Sequence, residues 1–182
     1  GKAFQQAMEE QKTRSKSGSA MKGDVFCAKG LDIKVKESKF VGYKENSCQA
    51  NILAIINEGK EVVLDQSPFY AESGGQAGDA GELINGKNVF EVLDTKKINN
   101  VILHIGRVKS GNFKKGDVVV AKINVERRLN IARNHTATHI LQACLREVLG
   151  NHVQQQGSLV SAGKFRFDFT HFKGLSKEEI SR

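Results

Sequence analysis

Short strand-like runs fill the middle of the sequence, and they limit the possible folds more than any other feature. Six runs rich in β-branched residues follow one another with turn residues between them: 50–56, 61–64, 81–84, 89–93, 101–108 and 117–123. Asn85-Gly86, between the third and fourth runs, is the strongest short hairpin signal in the chain. Six short strands with no helical pattern between them predict a small antiparallel barrel or sandwich.

A helical pattern begins after Asn124. Residues 125–149 contain no Gly or Pro, and Gly150 is a natural residue just beyond a helix end. Asn134 is also a good N-cap, so one long helix and two consecutive helices both remain possible. Three apolar residues recur at helical spacing and are expected to face a core: Leu141, Leu145 and Val148.

A strand pattern returns near the end of the chain, where Phe165, Phe167 and Phe169 alternate with polar residues. A helix followed by a strand predicts the first part of an α+β domain. At the other end, residues 2–16 are rich in helix formers and precede a Ser/Gly/Lys linker. We therefore expect three parts: a helical connector and linker at 1–24, a β-barrel domain at 25–126 and the first part of an α+β domain at 127–182.

The composition excludes several classes of protein. Hydrophobic residues make up 39% of the chain and charged residues 26%, which excludes a disordered tail. No apolar run approaches the roughly 20 residues that span a membrane. Three scattered cysteines favour the reducing cytoplasm over a disulfide framework. Because the chain starts at Gly1 rather than Met and its last residues resemble a helix start, we expect a piece of a longer protein.

The net charge of +8 is unevenly distributed. Residues 1–44 carry 10 basic and 5 acidic side chains, residues 45–126 carry 9 and 11, and residues 127–182 carry 9 and 4. Basic flanks around a near-neutral centre predict that a polyanion would contact the two ends. Three arginines near the helix start fit either a solvated helix face or contacts with phosphate: Arg127, Arg128 and Arg133.

Two histidines in the helix, His135 and His139, are four residues apart and therefore lie on one face, a spacing that suits two ligands of one metal. Metalloproteases need Glu where this chain has Thr136, so a peptidase is excluded. A zinc site needs three or four ligands, so two polar residues near a helix start remain an equally good interpretation. Four other residues are candidates for further ligands in principle: His104, His152, His171 and Cys144. Cys144, however, lies on the wrong side of the helix to join the pair.

The segment from Ser67 to Asp79 contains the only proline of the chain and three glycines. It lacks the ending of a phosphate loop, and no helix follows it as in a dinucleotide-binding fingerprint. Taken alone, the segment is best interpreted as a tight connection between two strands. Tyr70, Glu72 and Gln76 are unusual in a plain turn, however, and glycines also allow a backbone to approach a ligand closely. The amides of residues 154–156 likewise fit either a pocket lining or a solvated turn.

Four segments together resemble the editing region of alanyl-tRNA synthetases, which is related to free-standing alanyl-tRNA editing proteins. The first is residues 67–79 with Pro-Phe-Tyr-Ala-Glu-Ser-Gly-Gly-Gln, and the second is residues 133–141 with Asn-His-Thr-Ala-Thr-His. The others are Gly-Ser-Leu-Val at 157–160 and Arg-Phe-Asp-Phe-Thr-His at 166–171. Their order and spacing match as well, from about residue 38 to the end of the chain.

The resemblance implies a small β-barrel followed by the α+β editing domain shared with threonyl-tRNA synthetases. It makes His135 and His139 two ligands of Zn²⁺, with the other two in a downstream Cys-x-x-x-His motif that this sequence does not contain. It also implies that Gln155 lies near the editing pocket and that the Thr138 hydroxyl recognises serine. The glycine motif at Gly74 and Gly75 is expected to face the same pocket and, with the three arginines, to contact tRNA.

The function implied by the resemblance is hydrolysis of seryl- or glycyl-tRNA(Ala). One methyl or hydroxyl group gives a synthetic site only roughly 1–3 kcal/mol of discrimination, so a second hydrolytic site is needed. The expected partners are tRNA(Ala) and the remainder of the synthetase, whose catalytic domain would use ATP and Mg²⁺ to ligate alanine. The alternatives are a catalytically inactive tRNA-binding barrel and a free-standing hydrolase. The basic helical segment at the start of the chain disfavours the free-standing hydrolase. A threonyl-type editing domain is a further alternative, and the sequence of residues 67–79 disfavours it.

Overall fold

All six predicted strands are present in the computed structural model of the chain, which describes residues 37–182. The predicted connector at 1–24 and the first residues of the predicted barrel domain, 25–36, lie outside the described residues. The elements in chain order are β1 (Lys39–Phe40), β2 (Ser47–Ile56), β3 (Glu61–Leu64), β4 (Gln66–Ser67), β5 (Gly81–Asn85), β6 (Asn88–Ile98), β7 (Val101–Ser110), β8 (Val118–Ile123), α1 (Val125–Leu149), β9 (Gln155–Val160), β10 (Phe165–Phe169) and α2 (Lys177–Ser181).

Six of these strands form a closed antiparallel barrel in the order β2-β3-β7-β6-β5-β8. The barrel closes because β2 pairs with β3 on one side and with β8 on the other. Alternate residues of each strand point inward, as the pleat of a strand requires. The inward side chains form one core with the loop residue Phe69: Ala50, Ile52, Val62, Leu64, Leu83, Phe90, Val92, Val119, Ala121 and Ile123. The sequence left a barrel and a sandwich open, and the structure is a barrel.

The strand β6 is longer than the sequence indicated. It continues past Leu93 to Ile98 and turns through Asn99-Asn100 into β7, so that Ile98 pairs with Val101. Asn99 has a positive φ of 53°, a conformation that Asn tolerates better than most residues and that two-residue hairpins favour. The prediction stopped short because Lys96-Lys97 interrupts the apolar pattern.

Residues 125–149 form one helix, α1, which resolves the second open question. Asn124 is its N-cap and accepts from the Arg127 backbone N–H at 2.9 Å. Asn134 does not start a new helix, because its side chain donates to the Ser161 carbonyl at 2.8 Å. Leu141, Leu145 and Val148, which were expected to face a core, are all half-buried, and the fully buried residues of α1 are Ile131 and Thr138.

The strands β9 and β10 form a two-stranded antiparallel sheet against α1. Phe165, Phe167 and Phe169 are half-buried there, which confirms the predicted strand. The loop after β4 extends this sheet, because Val160 donates to the Gly75 carbonyl at 2.8 Å and accepts from Ala77 at 2.9 Å. A barrel followed by a helix and a small sheet agrees with the α+β class. Among the described residues, no helix has the length and apolarity needed to cross a membrane.

Candidate functional site

A groove of about 480 Å³ lies between one face of α1 and two loops of the barrel. The loop side comes from the turn after β1 and from the connection between β4 and β5. The residues of α1 that line the groove recur at helical spacing and form a single stripe. The lining residues are Arg128, Ala132, His135, Thr136 and His139 from α1, and Phe40, Gly42, Tyr43, Tyr70 and Gln76 from the loops.

The predicted histidine pair faces this groove. The rings of His135 and His139 are stacked, with centroids 5.0 Å apart and planes inclined by 20°, and both residues are exposed. Two imidazoles on adjacent helical turns can ligate one metal ion. Within residues 37–182 no group of three His, Cys, Asp or Glu residues could hold a metal. The pair alone therefore supplies two of the three or four ligands that a zinc site needs.

Gln76 orients the first of these rings. Its side-chain oxygen Oε1 lies 2.6 Å from Nδ1 of His135. An amide oxygen can only accept, so Nδ1 of His135 is the donor in this contact, and in the neutral form of the ring Nε2 carries the lone pair. Metal-binding histidines generally have such a partner, which fixes the tautomer and the ring orientation. The sequence marked Gln76 only as unusual in a turn, and the separation of 59 positions between Gln76 and His135 hid the contact.

Arg128 joins the helix to both loops. Its Nε donates to Oδ2 of Asp79 at 3.1 Å, Nη1 donates to the Gly42 carbonyl at 2.8 Å, and Nη2 donates to the Pro68 carbonyl at 2.6 Å. The Asp79 side chain is only 5% exposed and also accepts from the Tyr70 backbone N–H at 2.7 Å. The guanidinium is thus held by internal partners on three sides, and it fixes the position of α1 relative to the loops.

The other two arginines differ in exposure. Arg127 is half-buried and donates from Nη1 to the Gly78 carbonyl at 2.6 Å. Arg133 is exposed, and its Nη1 donates to Asn130 at 2.7 Å. Of the three predicted tRNA contacts, Arg133 is therefore the one that presents its side chain to solvent.

Gly74 and Gly75 form the turn that brings the loop to β9. Both have positive φ, 59° and 81°. A Cβ on Gly75 would lie 2.3 Å from the Ser158 carbonyl oxygen, whereas a Cβ on Gly74 would meet nothing within 4 Å. Only a glycine at position 75 allows the loop backbone to lie this close to β9.

The remaining predicted site residues lie outside the lining of the groove. Thr138 is 6% exposed, and its hydroxyl donates to the Asn134 carbonyl at 2.8 Å. Gln155, at the start of β9, is exposed and donates to the Ser158 hydroxyl at 3.2 Å. Gln155 and Gly75 both approach Ser158, so this residue joins the glycine turn to β9.

The other histidines have partners elsewhere. His104 is fully buried in the barrel, where Nε2 lies 2.7 Å from the Ser67 hydroxyl and Nδ1 lies 3.0 Å from the Val62 carbonyl. Burial lowers the pKa of His104 to about 4, because a charged imidazole would lose its hydration there. His152 and His171 are stacked and hydrogen-bonded to each other at 2.9 Å. None of the three completes a site with the pair on α1.

Comparison with known sequences identifies the family. The profile of the family described as tRNA synthetases class II (A) matches residues 1–127. That match covers well over half of the chain, so the chain belongs to this family. Within it, the chain is 43% identical to the alanine–tRNA ligase of Nitrosomonas eutropha, 44% identical to that of Dehalococcoides mccartyi and 40% identical to that of Legionella pneumophila.

These alignments include 97%, 98% and 99% of the chain but only 21%, 22% and 22% of the three ligases. The chain thus spans about a fifth of the length of the curated relatives that it matches. The family match ends at residue 127, near the start of α1. The histidine pair therefore lies outside the family match but inside the alignments with the ligases.

Proposed function

We propose that residues 37–182 form part of the editing region of an alanine–tRNA ligase, where serine or glycine wrongly attached to tRNA(Ala) is removed by hydrolysis. The ligation of alanine, with ATP and Mg²⁺, belongs in this proposal to other parts of such a ligase, in the cytoplasm. The similarity to alanine–tRNA ligases over nearly the whole chain supports this assignment. The observation that carries it is the groove-facing pair His135 and His139, with Gln76 orienting the first ring.

The chemistry assigned to this chain follows from its side chains. His135 and His139 supply two neutral nitrogen ligands for Zn²⁺, and the other two ligands come from outside the chain. A zinc ion with an open position would polarise the ester carbonyl or lower the pKa of a water molecule. The contact of Gln76 with Nδ1 would leave Nε2 of His135 available as the ligand atom.

Recognition of serine is assigned to Thr138. Its hydroxyl hydrogen is used by the Asn134 carbonyl, so only its lone pairs remain to accept the hydrogen of a serine hydroxyl. A site that hydrogen-bonds a hydroxyl group rejects analogues that lack it, so Thr138 would distinguish serine from alanine; glycine also lacks the hydroxyl, and this contact does not account for its removal. The proposal also assigns Gln155, Gly74 and Gly75 to the editing pocket, and of these Gln155 and Gly75 both approach Ser158.

A second candidate is a tRNA-binding module without catalysis. It is favoured by the fact that the described residues hold no group of three metal ligands. The basic flanks of the sequence provide the charge that such binding needs. The two candidates are compatible if this chain binds RNA alone and becomes hydrolytic when the missing ligands are supplied.

The deciding experiment compares this chain with an extended polypeptide that continues through a Cys-x-x-x-His segment. Zinc content and deacylation of seryl-tRNA(Ala) are measured for both. The extended polypeptide should bind one zinc ion and release serine, and this chain should bind zinc weakly and leave the ester intact. If the extended polypeptide binds zinc but does not deacylate seryl-tRNA(Ala), the editing proposal is wrong.

Histidine variants test the ligand assignment separately. His135→Ala and His139→Ala in the extended polypeptide should each abolish zinc binding. His152→Ala is the matched control, because this histidine is paired with His171 and does not line the groove. Unchanged zinc content in the first two variants would contradict the assignment.

A further inference from the structure

Three aromatic side chains form a cluster beside the histidine groove, and nothing in the function above uses them. Phe40 contacts Tyr43 edge to face with centroids 5.0 Å apart, and it contacts Tyr70 in the same manner at 6.3 Å. The chain contains only two tyrosines and no tryptophan, so both tyrosines are in this cluster. Tyr43 is 88% exposed, although a single exposed aromatic residue would by itself need no explanation.

The position of Tyr43 is fixed by its backbone. β1 pairs with β4, and Val41 donates to the Ser67 carbonyl at 2.9 Å. The following turn is closed by the backbone N–H groups of Lys44 and Glu45, which both donate to the Val41 carbonyl. The exposed ring therefore projects from a hydrogen-bonded turn.

Arg128 and Gly42 tie this turn to the helix that carries the histidines. The Arg128 guanidinium donates to the Gly42 carbonyl at 2.8 Å. A Cβ on Gly42 would lie 2.2 Å from the Pro68 carbonyl oxygen and 2.6 Å from the Phe40 ring, so only glycine fits there. The aromatic cluster and the histidine pair are consequently held in one arrangement by Arg128.

The cluster also separates two grooves. Phe40, Tyr43 and Tyr70 line the groove that contains the histidines, and the same three residues line a second groove of about 260 Å³. Lys97 lines the second groove and supplies a positive charge there. An aromatic surface next to a cation is the combination that binds single-stranded nucleic acid, because bases stack on rings and phosphates pair with cations.

We propose that Tyr43, supported by Phe40 and Tyr70, is the stacking surface for the terminal unpaired base of an RNA 3′ strand, with Lys97 contacting the phosphate backbone. The proposal rests on the proposed function for the identity of the strand, because a base held at Tyr43 would place its own ribose ester beside His135 and His139. Tyr43 acts in this role as a positioning residue.

The test uses this chain and a short RNA hairpin whose single-stranded 3′ tail ends in 2-aminopurine. Stacking on an aromatic ring should quench the fluorescence of this base when the complex forms. Tyr43→Leu should weaken binding by about 5- to 150-fold, the range for loss of one base–aromatic stack, and should abolish the quenching. Tyr43→Phe keeps the ring and should restore both.

Phe172→Leu is the matched control, because Phe172 is 86% exposed but lies outside both grooves. A blunt hairpin without the tail should bind the unchanged chain and Tyr43→Leu equally. Lys97→Ala should lower the dependence of affinity on salt by about one counterion, whereas Lys96→Ala, the neighbouring residue on the opposite side of β6, should not.

Zinc binding separates this inference from the proposed function. Tyr43→Leu in the extended polypeptide should keep its zinc, because Tyr43 is not a ligand. If Tyr43→Leu binds the tailed hairpin and quenches 2-aminopurine as the unchanged chain does, the stacking proposal is wrong, whatever the zinc and deacylation measurements give. Loss of tail-specific binding with intact zinc supports it.

Discussion

The barrel and the region after it, α1 with β9 and β10, are stabilised in different ways. The barrel is closed, and its core residues from Ala50 to Ile123 are at most 3% exposed. The 25-residue helix α1 buries only Ile131 and Thr138, while Leu129 and Ile140 are 50% and 59% exposed. The barrel therefore has a closed apolar core of its own, whereas α1 buries few apolar side chains and is joined to the barrel loops by polar contacts such as those of Arg127 and Arg128.

The candidate site therefore lies on the helix that buries few of its side chains. The histidines come from α1, and the residues that orient or support them come from the loops. Contacts between the two regions should consequently affect the site as well as the stability of the fold, while changes inside the barrel should affect stability alone. Four experiments test that division.

The largest effect is expected from Arg128→Met, which removes the link between the two regions. It leaves the carboxylate of Asp79 buried without its partner, and breaking such a pair typically costs about 3–5 kcal/mol of unfolding free energy. Urea unfolding measures this loss. Arg107→Met, which breaks an exposed pair with Glu91, is the control and should change stability little. Equal effects of the two substitutions would show that Arg128 does not link the regions.

The barrel should carry the pH dependence through His104. The pKa of this residue is about 4 in the folded barrel and 6.5 in the reference state, so below pH 6.5 the unfolded chain binds a proton that the folded chain does not. Stability should therefore fall as the pH falls from about 6.5 to 4, by about 3 kcal/mol from this group. Unfolding at several pH values should show a shallower fall for His104→Gln, and identical slopes would contradict this.

The glycine turn tests the contact between the loop and β9. Gly74→Ala introduces strain from a positive φ only, at a cost of about 1–2 kcal/mol. Gly75→Ala adds a clash with the Ser158 carbonyl and should cost about 2–4 kcal/mol. Because the backbone strain is similar, the difference in unfolding free energy measures the close approach. No difference between the two variants would mean that the loop does not pack on β9 in solution.

The smallest effect is expected from Gln76→Leu, which removes the partner of His135. Loss of such a partner typically weakens metal binding by about 10- to 100-fold. Competition with a zinc chelator, in the extended polypeptide, measures this change. Gln155→Leu is the matched control, since the Gln155 amide bonds to Ser158 rather than to a histidine. If both glutamine variants bind zinc equally well, Gln76 does not orient the ligand.

Much of the barrel was predictable because its signals are local. β-branched runs and Asn85-Gly86 located the strands, although the start of β2 and the ends of β6 and β7 were missed. The largest omission was in β6, where Lys96 and Lys97 obscured a hairpin through Asn99. The closure of the sheet into a barrel depends on the pairing of β2 with β8. That pairing joins distant parts of the sequence, and periodicity alone cannot distinguish it from a sandwich.

The site was predictable only within the helix. The spacing of His135 and His139 placed them on one face, because helical geometry is regular. The partners of these residues are far away in the sequence, and no local pattern connects Gln76 to His135 or Arg128 to Asp79. Leu141, Leu145 and Val148 are only half-buried, because helical spacing shows which residues share a face but not how much of that face is covered.

The contact between Gln76 and His135 has a consequence for the order of folding. Gln76 and His135 are 59 positions apart, and the segment between them contains β5, β6, β7 and β8, four of the six barrel strands. Closing so long a segment costs chain entropy that the barrel contacts must first offset. The histidine pair should therefore gain its final orientation late in folding, and the amides of Ala77 and Val160 should exchange their hydrogens faster than those of the barrel strands.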